Sequence, residues 1–151
     1  MPDPLFESRT ARFDLPLLFA GQSQKETFVN ESLARLDALL CLAIEGEQAA
    51  PPATPADGQA WLVASGASGD WTGQSGKIAA RQAGNWLFAA PRDGLKLLNR
   101  ATGQEQRFAG TWKVPSRPPA PSGGAIVDAE ARTAIGAIIA ALTTAGIVAA
   151  S

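Results

Sequence analysis

The sequence predicts an α+β fold: an N-terminal helix, a small antiparallel β meander, and a C-terminal helix, the helices pairing like a coiled coil in a homo-oligomer. Three observations predict it. Apolar residues recur at alternating spacings of four and three near both ends of the chain. Between them lie short apolar segments broken by glycine-, asparagine- and aspartate-rich turns. Two proline-rich stretches separate the parts. The expected divisions are an arm over 1–20, an oligomerisation helix over 21–46, a linker over 47–58, a β domain over 59–115, a second linker over 116–125 and a helix over 126–151.

In the arm, Pro2, Pro4 and Pro16 oppose helix formation. Phe6, Phe13, Leu17, Leu18 and Phe19 are too apolar to stay in water, so the arm is expected to dock on its own domain or on a neighbour. The first helix is expected from Gln24 to Glu45. Ser23 and Glu26 fit a capping box at its start, and Gly46 offers a stop. At about 1.5 Å per residue that is a rod of about 33 Å. Val29, Leu33, Leu36, Leu40 and Ala43 carry the four-three stripe. Such a stripe suits a coiled-coil seam and equally a helix packed on its own sheet.

The strands are expected at Ala60–Ser65, Gly76–Gln82, Trp86–Ala89, Leu95–Asn99, Glu105–Ala109 and Thr111–Val114, with Asp57-Gly58 and Asp93-Gly94 as turn signals. A short repeat supports hairpins: the segment Arg81-Gln-Ala-Gly-Asn-Trp86 recurs as Arg107-Phe-Ala-Gly-Thr-Trp112. Glycine serves the turn and tryptophan covers the gap beside it. The second linker ends in a flexible Ser-Gly-Gly. Asp128 then caps a helix expected to reach Thr144, with Gly146 as its stop. Its stripe is Ala131, Ile135, Ile138, Leu142 and Ala145. So apolar a helix wants a partner, and the linker lets it find one away from the β region.

Composition limits the chemistry. With 151 residues and 46% apolar content, a single domain can bury a core. The net charge of −1 does not steer the chain toward nucleic acid or an anionic membrane. The sequence offers neither a long uncharged apolar run for a membrane span nor a signal-peptide pattern over its first residues. Histidine and tyrosine are both absent. Without histidine, the Ser-His-Asp and Cys-His routes to a nucleophile fall away, as does the commonest zinc ligand. Neither catalytic residues nor a cofactor or metal are expected. Cys41, placed among leucines of the first helix, reads as a buried small hydrophobe. Asp57, Asp70, Asp93 and Glu105 are the carboxylates a glycan-cleaving enzyme would need. Three of them sit in turns, where aspartate is common for backbone reasons. Gly66–Asp70 lacks the Gly-Lys-Ser/Thr ending of a phosphate loop. Trp71, expected exposed in the longest glycine-rich loop beside Asp70 and Gln74, is a candidate sugar-stacking residue.

Several pieces resemble the DUF2793 family. They are Leu15-Pro-Leu-Leu-Phe-Ala-Gly-Gln-Ser-Gln-Lys25, Val29-Asn-Glu-Ser-Leu-Ala-Arg-Leu-Asp37, Pro55-Ala-Asp-Gly58, Gly69-Asp-Trp-Thr-Gly73, Gly84-Asn-Trp86 and Ala90-Pro-Arg-Asp-Gly94. One departure is Glu26, where relatives often carry histidine. The resemblance implies a phage, prophage or gene-transfer-agent protein of alphaproteobacteria. It would be synthesised in the host cytoplasm and located on the virion, as a subunit or adaptor of a tail fibre or head spike. The implied partners are further copies of the chain, as a homotrimer or else a pentamer, and other virion proteins of tail, baseplate or capsid vertex. The alternative reading is a carbohydrate-binding module that takes a host surface glycan through Trp71, Asp70 and Gln74.

Overall fold

The computed structural model describes residues 15, 16, 18, 21, 23–124 and 128–149. It is an α+β fold with a helix at each end, α1 (Lys25–Leu39) and α2 (Ala129–Thr144). Between them lie β1 (Ala43–Ile44), β2 (Glu47–Gln48), β3 (Ala60–Val63), β4 (Ile78–Gln82), β5 (Asn85–Ala89), β6 (Lys96–Asn99), β7 (Gln104–Ala109) and β8 (Thr111–Lys113). A single 3₁₀ turn occupies Gly69–Trp71.

The expected single meander is two sheets. One has the order β2-β3-β4-β5 and the other β1-β6-β7-β8. Each is a three-stranded antiparallel meander completed by a two-residue parallel strand. Those two short strands are consecutive in sequence, so residues 42–48 stitch the sheets together. The Leu42 and Ile44 carbonyls accept from Leu98 and Arg100 of one sheet. Glu45 N–H then donates to Ala60, and Gly46 and Gln48 carbonyls accept from Leu62 and Ala64 of the other. Arg100 and Glu45 close the joint outside with an ion pair at 3.0 Å.

This joint corrects the expected first helix. The helix ends at Leu39 and spans about 22 Å at 1.5 Å per residue. Leu40 is already extended, and Cys41 turns the chain at φ 49°. The apolar run Leu39–Ile44 reads as helix because a fully buried strand and a buried helical turn share one apolar signature. Burial of Ile44 between the sheets decides the matter. Cys41 is exposed rather than buried, because it lies in the turn outside the helix. The capping box does not form either: Gln24 is the N-cap, left-handed at φ 53°, with no side-chain cap. The linker expected over 47–58 contains β2 and is part of the sheet.

The β2-β3-β4-β5 sheet is buried on both faces at β3 and β4. Leu62 and Ala60 of β3 enter a core with Leu42, Ile44, Ile78, Ala80 and Leu97. Alternate residues Trp61 and Val63 enter a second core with Trp71 and Ala79. That alternation follows from the period of two in a strand, which sends successive side chains to opposite faces. Both Ala-Gly turns are strapped in the same way. Asp57 Oδ1 accepts from Gly84 N–H at 3.1 Å, and Asp93 Oδ1 accepts from Gly110 N–H at 2.7 Å.

α2 begins and ends as expected. Asp128 Oδ1 accepts from Ala131 N–H at 2.8 Å, and Gly146 follows the last turn at φ 70°. The helix does not wander from the β region, however. β8 ends before Pro115, which has no N–H to continue the ladder. The β7 edge left open there is taken by the chain after α2: Glu105 N–H donates to Gly146 O. The Ser-Gly-Gly end of the linker is held as well, because Arg132 donates to the carbonyls of Pro121 and Gly123.

Candidate association surface

α1 is tied to β5 by one side chain. Arg35 Nη1 donates to the Phe88 carbonyl at 3.1 Å, and Glu31 holds the same guanidinium at 3.0 Å. Ala38 and Leu39 pack against the first core. The Arg35 bond satisfies one backbone carbonyl of β5, an edge strand of its sheet. It also fixes which side of the helix faces out. Leu33, Leu36 and Leu40 are 57%, 41% and 70% exposed. Three leucines at spacings of three and four therefore form one apolar stripe, and no residue of α1 is fully buried.

Of the expected seam, Val29 is half-buried on the helix, and Leu33 and Leu36 lie outward. Leu40 is the C-cap. Ala43 is not on the helix at all; it sits in β1 opposite Leu98, where the crossing strand carries it. The helical part of the seam is thus under two heptads. On α2, Ile135 and Ile138 are exposed while Leu142 is half-buried and Ile139 is buried. The α2 stripe is therefore divided between the chain's own fold and its surface.

The arm residues Phe6, Phe13, Leu17 and Phe19 lie outside the described residues, whereas Leu18 is described and exposed. Pro16 is buried, and its carbonyl accepts from Ser32 Oγ of α1 at 2.7 Å. This stretch of the arm therefore rests on the chain's own helix.

Trp71 corrects the expectation of an exposed sugar platform: it is 0% exposed. The 3₁₀ turn rolls its ring inward, where Trp61 and Trp86 stand 6.2 Å and 5.1 Å from it. Asp70 stays exposed, and Gln74 Oε1 accepts from Lys77 Nζ at 2.8 Å. The three residues do not converge on one accessible indole face. Asp57 and Asp93 are committed to turn amides, as described above. Among the described residues, no group of three or more His, Cys, Asp or Glu is placed to hold a metal ion, and no helix is long and apolar enough to cross a membrane.

Sequence reasoning missed one constellation. Gln104, 2% exposed, donates from Nε2 to Pro115 O at 2.6 Å and to Ile147 O at 2.9 Å. It ties the end of β8 and the end of α2 to the start of β7. The available signal was alternation: in Gln104-Glu105-Gln106, both glutamines share the inward face of the strand.

The fold and surface define a small two-sheet α+β module with an apolar stripe on its N-terminal helix. The chain belongs to the DUF2793 family, a protein family of unknown function, whose model matches residues 29–113. That span opens within α1 and closes at the end of β8, so it takes in both sheets. No curated protein matches the chain.

Proposed function

We propose that this chain is a non-catalytic structural module that self-associates through the outward stripe of α1. Within a phage or gene transfer agent it serves as a subunit or adaptor of a fibre or spike. The observation that carries self-association is the exposure of Leu33 and Leu36 on one face of α1, continued by Leu40 at its C-cap. Each such side chain gains about 1.5–3 kcal/mol when buried. Two leucines on a short helix and a third at its cap are therefore a contact surface rather than scattered surface apolar residues. A homotrimer puts three such stripes around one axis; a pentamer is the alternative arrangement. The virion setting rests on the family resemblance, and the docking end is the arm together with α1.

Particle incorporation tests this reading. Deleting Met1–Ala20 is expected to leave the two sheets folded and to remove the protein from purified particles. Normal incorporation of the truncated chain would move the docking role to α2.

A further inference from the structure

The outer face of the β6–β7–β8 sheet carries a row of like charges. Lys96 stands directly opposite Arg107, and Arg107 directly opposite Lys113. Directly opposed residues of antiparallel strands point to the same face, so all three cations lie side by side across three strands. All three are exposed. Neighbours in such a row are about 5 Å apart, the spacing between strands. None of the three has an ion pair or side-chain hydrogen bond among the described residues. Like charges directly opposed destabilise a sheet, and a chain with a net charge of −1 has no general excess of cations to account for them.

The three cations line one side of an open groove of about 620 Å³, which wraps the β8 edge and is completed by Gln106, Trp112, Val114, Pro115 and Ile147. Ile147 lies there because Gln104 and Glu105 bind the chain after α2. Glu105 is the one carboxylate in the lining. It lies two residues from Arg107 on the same face of β7, about 7 Å along the strand. It repels an anion laid along β7 and leaves the cross-strand direction favourable.

We infer that this groove binds a multivalent oxyanion lying across the strands. Arg107, at the centre, presents a planar fork that takes one oxyanion group bidentately. Lys96 and Lys113 take the flanking groups as point charges. Binding relieves the repulsion among the three cations, so the ligand also stabilises the sheet.

The test is calorimetric titration of the full chain at low ionic strength with tripolyphosphate, citrate and inorganic sulfate in parallel. The multivalent anions are expected to bind and to raise the melting temperature, and the better of tripolyphosphate and citrate reports phosphate or carboxylate preference. Arg107→Gln is expected to weaken binding by about tenfold or more, as for loss of a charged hydrogen-bonding partner. Lys25→Gln, on α1, is expected to leave it unchanged. Lys96→Gln supplies the same comparison if Arg107→Gln lowers the folded fraction. Added salt is expected to weaken binding by screening. Absence of binding by all three anions would overturn the inference. So would equal loss in the Arg107 and Lys25 variants, which would mean diffuse charge and not a site.

Discussion

Gln104 donates to the carbonyl of Ile147 at 2.9 Å, across 43 residues of sequence, and the same nitrogen reaches Pro115 O at 2.6 Å. This buried amide, together with Glu105 N–H donating to Gly146 O, fastens the chain after α2 to the sheet. Replacing it with leucine keeps the volume but strands both carbonyls. Each such hydrogen bond is worth about 0.5–1.5 kcal/mol net, so Gln104→Leu is expected to lower stability by about 1–3 kcal/mol in urea unfolding. Limited proteolysis should then cut within 116–124 faster than in the parent chain. An unchanged cleavage rate would mean that α2 is held by other contacts.

Two glycines are expected to respond with opposite signs. Gly146 has φ 70°, and a Cβ there would come within 3.3 Å of the Gly103 carbonyl. Gly146→Ala is expected to cost about 1–2 kcal/mol, since a left-handed alanine carries that penalty even before the close approach. Gly136 sits inside α2 with open space around it. Gly136→Ala is expected to stabilise by about 0.5–1 kcal/mol through helix propensity. Thermal melts of the two variants should move apart, downward for the first and upward for the second.

The two aspartate straps belong to different sheets, and each accepts a single turn amide. Asp57→Ala and Asp93→Ala are each expected to lose about 1 kcal/mol, the net value of one such hydrogen bond. The double variant should lose close to the sum, because separate sites add. The asparagine variants keep the accepting oxygen and should recover most of the loss. Equal losses with asparagine would assign the effect to charge rather than to the strap.

Trp71 is the keystone of the second core, packed between Trp61 and Trp86. Trp71→Ala is expected to cost about 3–5 kcal/mol as a cavity forms. Were the residue an exposed glycan contact, the same change would leave stability within about 0.5 kcal/mol. Equilibrium unfolding separates these outcomes directly.

The strands from β3 to β8 were legible because their turns use residues with mechanical reasons to be there. Asp57-Gly58, Gly84 and Gly110 mark chain reversals, and Asp128 with Gly146 marks the ends of α2. The joint at 42–48 was not legible. Leu40, Leu42 and Ala43 continue a helical spacing, and only contact with Leu98 and Leu62, far away in sequence, makes the segment extended. The division into two sheets was hidden for the same reason, since it depends on which distant strand each dipeptide joins. Trp71 was misplaced because a glycine-rich loop suggests exposure, whereas the 3₁₀ turn within that loop drives the ring inward. The basic row at Lys96, Arg107 and Lys113 needs strand register to be seen at all, and register is a tertiary property.

Self-association through α1 is tested most directly by the mass of the full chain in solution, measured beside Leu33→Glu/Leu36→Glu at micromolar concentration. Both positions are exposed within the protomer, so the double variant should keep its secondary structure by circular dichroism. The parent chain is expected to sediment as an oligomer, with three copies the leading expectation, and the variant as a monomer. A monomeric parent chain, or a variant that retains the parent's mass, would contradict the assignment of this stripe as the association surface.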